Sequence, residues 1–463
     1  MKKLLTLFSV AAGALALASC SGTKTTFDCP DSFDTETPVT VTFWHTMGQT
    51  LRGTLDEAIT EFQELYPNIT VVHEQFGSYD DVRYQISTNM GTGDFPSMAY
   101  CYPDHVALYN EAKITVPLDD IMVHEQYGFG GEQVLFEGPK EADFVPAFFA
   151  EGSQYEDGLT YTMPFLKSTE ALFYNKTFFT DNNLKVPTTW EEMWATCAKI
   201  KEIDPQATPL GYDSESNLFI TLAEAYGYDY TKAEGEYFYF NNEGMRGLMK
   251  EFKQYFDKGY FTTGELCSGY TNSLMTDVTQ KSRAYMCISS TAGAKYQVNN
   301  DGLFETGVAA VPTAKGKELK CMSQGPSLVF FKKDNAQEVI ASWLFTQYLL
   351  TPNTQVKFAF ASGYLPVTTP ATATADYQSF INKAYKADGS LNSIAAASTK
   401  QAVAQTAHYF SSAVFIGSSV ARDEVGKLMI NILGTTMKAD EMDAKIQGFF
   451  DTAIQECRYQ AGL

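Results

Sequence analysis

The chain has 463 residues, with 34 Lys and Arg against 55 Asp and Glu and a formal net charge of −21. That balance excludes the positive face that nucleic acid or an anionic lipid surface requires, while the length is ample for two lobes with separate cores. Phe and Tyr number 33 and 27; most of these rings are expected in the core, but tyrosine hydroxyls also recognise polar solutes in clefts.

Lys2 and Lys3 precede an apolar run from Leu4 to Leu17, and Leu17-Ala18-Ser19-Cys20 has the form of a bacterial lipoprotein cleavage box. The run is too short for a spanning helix. The expectation is a signal peptide over 1–19 and a lipidated Cys20, whose acyl chains, palmitate among them, anchor a soluble body. A secreted protein with an ordinary cleavage site is the other reading. Residues 20–38 are polar, acidic and aperiodic, as expected of a tether. The remaining cysteines, Cys29, Cys101, Cys197, Cys267, Cys287, Cys321 and Cys457, show no CxxC and no regular spacing, so no bridge is assigned.

Val39 to Trp44 alternates and is rich in β-branched and aromatic residues, the pattern of a first strand. Leu51, Leu55, Ile59, Phe62 and Leu65 follow at helical spacing until Pro67 and Asn68, and Ile69 to Val72 opens a second strand. Strand, helix, strand predicts a parallel pair in an open α/β sheet, with ligands bound beyond the carboxyl ends of the strands. Those loops hold Trp44 and His45, then Phe76 to Tyr79; Asp104 and His105 stand just beyond the apolar Met98 to Tyr102.

Tyr161 to Phe179 reads as a crossover between lobes. It runs through Pro164 into a polar patch of Lys167, Ser168, Thr169 and Glu170, then into Ala171 to Tyr174. Hydroxyls facing a cleft and hydroxyls solvated on an edge strand both fit it. Further on, Thr188 or Thr189 caps a helix with Trp190, Met193, Trp194, Cys197 and Ile200 on one stripe. Helices are expected at Asn242 to Phe256 and from about Thr271, and strands at Ala284 to Ser289 and Leu328 to Phe331. Gly307 to Pro312 is a short apolar strand and a candidate second crossing. Gln337 to Leu350 has the pattern of an amphipathic helix stopped by Thr351-Pro352, Thr368 to Ala375 of a surface loop, and Glu424 to Leu433 and Ala439 to Tyr459 of closing helices.

Signatures of catalysis are weak. The five histidines form no HExxH or zinc spacing, Gly316-Lys317 and Gly426-Lys427 lack the rest of a P-loop, and Gly325-Pro326-Ser327 lacks the second glycine of a nucleophile elbow. No metal, cofactor or catalytic residue is therefore expected, and two lobes joined by crossovers suit a protein that closes on a solute.

Several segments in order resemble the glycerol-3-phosphate-binding proteins, within the extracellular solute-binding proteins that serve ABC importers. They are Phe43-Trp44-His45-Thr46-Met47, Gly77-Ser78-Tyr79, Gly91-Thr92-Gly93-Asp94-Phe95-Pro96, Pro164-Phe165 with Ser168-Thr169, Tyr174-Asn175-Lys176, Ser289-Ser290, Gly325 with Ser327-Leu328, and Gly363 to Thr369. The resemblance implies a two-lobed periplasmic-binding-protein-like α/β fold of type II, with open sheets flanked by helices around a hinged cleft. It implies lobes at 39–165 with 313–364 and at 166–312 with 365–463. Ligand contacts would fall on Tyr79, Asp104, Ser168, Ser290, Gly325, Tyr364 and Arg422. Arg422 would offer a planar fork to phosphate, and Gly325 would let a backbone amide approach.

This chain departs from that family where its paired tryptophans would stand, with Ser216 and Phe219 instead, and Lys167 sits beside Ser168. A glycerol phosphate, its diester or a sugar all remain open as ligand. The expectation is an extracytoplasmic, monomeric protein that presents its solute to ABC permease subunits and touches the membrane only through its anchor. A secreted carbohydrate-active hydrolase or lyase and an adhesive surface lipoprotein are the alternatives.

Overall fold

The computed structural model describes residues 27–463; the signal-peptide stretch, the cleavage box and Cys20 lie outside the described residues. Strand Val39–His45 buries every second side chain, Val41, Phe43 and His45 among them, as the two-residue period of a strand dictates. Helix Gln49–Leu65 lays Leu55, Ala58, Ile59 and Phe62 inward, and strand Ile69–Gln75 returns parallel to the first, Val39 opposite Ile69. The completed first sheet runs Ile69–Gln75, Val39–His45, Met98–Cys101, Ser327–Phe330, Thr162–Pro164. Its fourth strand comes from much later in the chain and is antiparallel to both neighbours.

The second sheet runs Thr306–Ala309, Glu170–Asn175, Met286–Ser290, Leu210–Tyr212, Phe261–Thr263. Each sheet has its own core. Phe43, Phe62, Trp343 and Leu344 fill the first, and Trp190, Trp194, Phe219 and Phe252 the second. Burying each such side chain stabilises by about 1.5–3 kcal/mol, so either core is large enough to hold its lobe. The molecule is thus two-lobed α/β with open, helix-flanked sheets.

Tyr161 to Phe179 does cross between lobes, since Thr162–Pro164 lies in one sheet and Glu170–Asn175 in the other. The return crossing lies elsewhere than expected. Thr306–Ala309 is an edge strand of the second sheet, antiparallel to Glu170–Asn175, and the chain comes back between Met322 and Ser327. There Ser168 and Gln324 exchange both backbone hydrogen bonds at 2.9 Å, and Leu166–Lys167 pairs on its other side with Leu365–Pro366. Cys321 and Met322 accordingly pack in the second core, and Leu365 and Val367 in the first.

Three other expectations change. The tether does not run free to Pro38: Phe33 is buried, its backbone exchanges hydrogen bonds with the Gln133 amide at 2.7 and 2.9 Å, and Tyr127 donates to Pro30 O at 2.8 Å. Helix Ala336–Leu349 is buried nearly all round, because it packs on strand Val39–His45 and is flanked by helices Gln49–Leu65 and Pro352–Ala361. The Thr368–Ala375 stretch is largely helical, Thr369–Ala373 followed by Ala375–Asn382, with the Thr374 hydroxyl accepting from Tyr377 N. All seven described cysteines are free thiols, and no helix among the described residues is long and apolar enough to cross a membrane.

Candidate functional site

Helix Ser418–Gly434 of the second lobe begins at the cleft, after Gly417 turns the chain with a φ of +100°. Its first turn meets the Pro103–His105 turn of the first lobe, where Ser418 Oγ donates to Asp104 O at 3.2 Å. One turn in, the Arg422 guanidinium lies 5.4 Å from the Tyr102 ring centroid, a cation–π distance. Arg422 Nη2 donates to Asn217 Oδ1 and contacts Met322 Sδ at 3.6 Å. Among the described residues no carboxylate comes within ion-pair distance of Arg422; the neighbouring Asp423 is taken by Arg83 at 2.7 Å.

Asn217 is held in turn. Ser214 caps helix Glu215–Tyr226 by accepting from Asn217 N at 3.3 Å, which sets the register that aims Asn217 at the cleft. Its Nδ2 donates to Glu170 Oε1 at 3.3 Å, and Tyr212 OH donates to Glu170 Oε2 at 2.5 Å. Burial pushes the Glu170 carboxyl up to about 7, against the hydrogen bonds from Tyr212 and Asn217 and the charge of Arg422. A relay of Tyr212, Glu170, Asn217 and Arg422 therefore fixes the guanidinium.

Across the cleft, Asp104 is 7% exposed. Burial raises its carboxyl, with Arg422 and Arg83 opposing. Burial and then Arg83 push His105 down to about 3, so at neutral pH it is an uncharged imidazole. Ser78 caps helix Tyr79–Asn89, placing the Tyr79 ring 4.3 Å from Tyr102 at 22°. The Tyr79 hydroxyl is buried facing Tyr364, without a hydrogen bond of standard geometry; burial, then Tyr364, Tyr102 and Tyr100, hold its phenol far above the ordinary value. Tyr364 thus belongs to the same aromatic group.

At the hinge, Ser290 Oγ donates to Ser168 Oγ at 3.4 Å, and Ser290 stands opposite Glu170 in the sheet, which connects this pair to the Arg422 relay. Lys167 is fully buried on Glu151, whose other oxygen accepts from Ser323 Oγ at 2.6 Å. Its charge is thereby matched inside the protein. Gly325 has a φ of +101°, and a Cβ there would meet Leu166 O at 2.3 Å; what the missing side chain admits in this structure is the backbone of the other crossing strand.

Four nominated residues pack away from this group. Trp44 packs at a tilt against Phe76, ring centroids 5.0 Å apart. His45 is buried between Phe43 and His73, accepting from Met47 N at 3.1 Å. Phe219 is 0% exposed among Tyr230, Phe240 and Phe450, and Ser216 faces Gly426 on the Arg422 helix. Residue-by-residue reading passed over Tyr102, Glu170 and Asn217. The Ser214 cap followed by an apolar run was the available signal, since it predicts the helix that carries Asn217.

A family model described as bacterial extracellular solute-binding protein matches residues 57–387. The sn-glycerol-3-phosphate-binding periplasmic protein of Salmonella typhimurium is 23% identical over 369 residues, covering 75% of this chain and 79% of that protein. Among solved structures, UgpB from Mycobacterium tuberculosis in complex with glycerophosphocholine superposes with a TM-score of 0.72 at 18% identity, covering 90% of this chain and 98% of that one. The Listeria monocytogenes substrate-binding protein in complex with cycloalternan also gives 0.72, at 13% identity over 92% of this chain and 100% of that one.

Proposed function

The chain belongs to the bacterial extracellular solute-binding proteins, and on that premise we propose that it captures a glycerol phosphate or glycerophosphodiester by closure of its lobes and hands it to the permease of an ABC importer. The observation that carries the anion is Arg422: a permanent cation in the cleft, fixed by a relay of neutral or proton-sharing groups, with no carboxylate paired to it among the described residues. A guanidinium held in that way is a ready fork for phosphate oxygens. Asp104, the Tyr79 hydroxyl and the Ser168–Ser290 pair are the acceptors and donors for glycerol hydroxyls. Support comes also from the glycerol 3-phosphate and glycerophosphocholine named for two of the relatives.

Titration calorimetry with glycerol 3-phosphate and glycerophosphocholine tests this reading. Arg422→Ala is expected to weaken binding about 10- to 100-fold, the worth of one charge-assisted hydrogen-bonding group. Phosphate ligands that do not bind, or bind the variant unchanged, count decisively against it. The proposal includes a lipid anchor at Cys20, motivated by the Leu17-Ala18-Ser19-Cys20 box. Mass spectrometry of the protein from its membrane fraction is expected to show an acylated N-terminal cysteine; an unmodified Cys20 removes the anchor.

A further inference from the structure

His45, the last residue of strand Val39–His45, is 0% exposed and is joined by hydrogen bonds to a carboxylate at the surface. Its Nδ1 accepts from Met47 N at 3.1 Å, and its Nε2 lies 2.9 Å from His73 Nδ1. His73 Nε2 in turn lies 2.9 Å from Asp56 Oδ1. The Asp56 side chain is 65% exposed, so this row of polar groups runs from the first core out to solvent.

One backbone donor fixes every proton in the row. An N–H cannot donate to a protonated nitrogen, so His45 Nδ1 carries a lone pair. A neutral His45 then holds its proton on Nε2 and donates it to His73 Nδ1, and His73 holds its own on Nε2 and donates it to Asp56. Neither ring can gain a proton without losing a bond. A proton added at His73 Nδ1 would face the His45 Nε2 proton, and one added at His45 Nδ1 would face the Met47 N–H. The titratable and charged groups around His45 are His73, then Arg52 and Asp56 of helix Gln49–Leu65, and Tyr100 of strand Met98–Cys101. Burial, then His73 and Arg52, push His45 down to about 3, with Asp56 opposing; burial keeps the Tyr100 phenol neutral.

The Met47 bond also ties down the entry to helix Gln49–Leu65, because Gly48 caps that helix with no side-chain hydrogen bond. Thr50, in the first turn, accepts from Lys295 Nζ of the second lobe at 3.3 Å. We propose that His45 and His73 form a proton-sensitive latch on this turn, which acid opens to loosen the turn and weaken the Thr50–Lys295 contact, so that the lobes meet less often. A solvent proton binds His45 Nδ1, and the hydrogen bond from Met47 N to that atom breaks. The new positive charge lies two hydrogen bonds from the Asp56 carboxylate, which stabilises it. The latch goes beyond the solute reading and does not depend on it.

The test is a titration of the ligand-free protein from about pH 8 to about pH 4, across the ordinary imidazole range. Nitrogen-15 NMR of the histidine rings reads protonation and tautomer, hydrogen exchange reads protection of the Met47 amide, and X-ray scattering reads the radius of gyration. At the upper end both rings are expected to be neutral, with their protons on Nε2. Below about pH 6.5, His45 is expected to take up a proton at the same pH at which the Met47 amide loses protection and the radius grows. His45→Asn supplies an amide oxygen that accepts from the backbone N–H two residues on and takes no proton, so it is expected to hold the turn and to show neither change. A proton on Nδ1 of either ring at the upper end overturns the latch. So does uptake by His45 while the Met47 amide stays protected, or no uptake down to about pH 4. A radius that stays constant as the turn loosens, or that grows equally in His45→Asn, overturns the link to the lobes and with it the switch. Should His45→Asn not fold, the three wild-type readouts decide by themselves. No solute enters the test, so its failure leaves the solute reading standing.

Discussion

Glu170 is the residue on which the chemistry of the cleft turns. An ionised carboxylate two hydrogen bonds from Arg422 weakens the guanidinium's attraction for an anion, and burial opposes that ionisation, raising Glu170 from 4.5 to about 7. The folded chain then keeps a proton that the unfolded chain releases. Through this group, stability is fully present below about pH 4.5 and is lost as pH rises to about 7. Glu170→Gln, which stays neutral, is expected to flatten that part of the profile in urea unfolding measured from pH 4.5 to 7.5; an identical slope in the variant would reject the assignment. The residue scale is also where legibility was lowest. Arg422, Asp104 and Tyr79 were nominated through resemblance and do converge around Tyr102. Trp44, His45 and Phe219 sit at comparable sequence positions but turn into packing. Which way an aromatic ring points is set by the neighbours it buries against, and those come from distant segments.

At the scale of elements, the two crossing strands define the hinge. Phe165 N and Leu166 N both donate to Pro326 O, at 3.1 and 3.3 Å, and Ser168 and Gln324 close the ladder. Gly325 lets the strands approach this closely. Gly325→Ala would put a methyl against Leu166 O at a φ that L-residues rarely adopt, so it is expected to destabilise by more than about 1 kcal/mol. A fall of about one degree or more in melting temperature checks this; an unaltered value would mean that the hinge tolerates separation there. The outgoing strand was legible from Pro164 and the change of pattern after it. The return strand was not, because its partner is chosen by hydrogen bonding to a segment far away in sequence, and Gly307 to Pro312 offers the same short apolar signature.

For the molecule as a whole, the proposed capture of a solute by closure depends on how often the lobes meet. Arg83 on the first lobe pairs with Asp423 on the second at 2.7 Å, next to Arg422, and Lys295 reaches Thr50 across the gap at 3.3 Å. A partly exposed pair of this kind contributes about 1 kcal/mol or less. Arg83→Ala is therefore expected to lower apparent affinity by up to about fivefold, as the closed fraction falls, and to enlarge the radius of gyration of the ligand-free protein in X-ray scattering. An unchanged radius would show that the pair does not bias closure. By itself, the sequence determined the local matters: the alternating strands, the capped helices and the outgoing crossover, because periodicity and capping are read within a dozen residues; the two-lobed class came with the family resemblance. Only the tertiary structure decided that Lys167 is neutralised by Glu151, that Phe33 docks the N-terminal segment, and that Glu170 and Asn217 hold Arg422. Each of those joins residues from separate stretches of chain, and burial and charge pairing between them exist only once the lobes have formed.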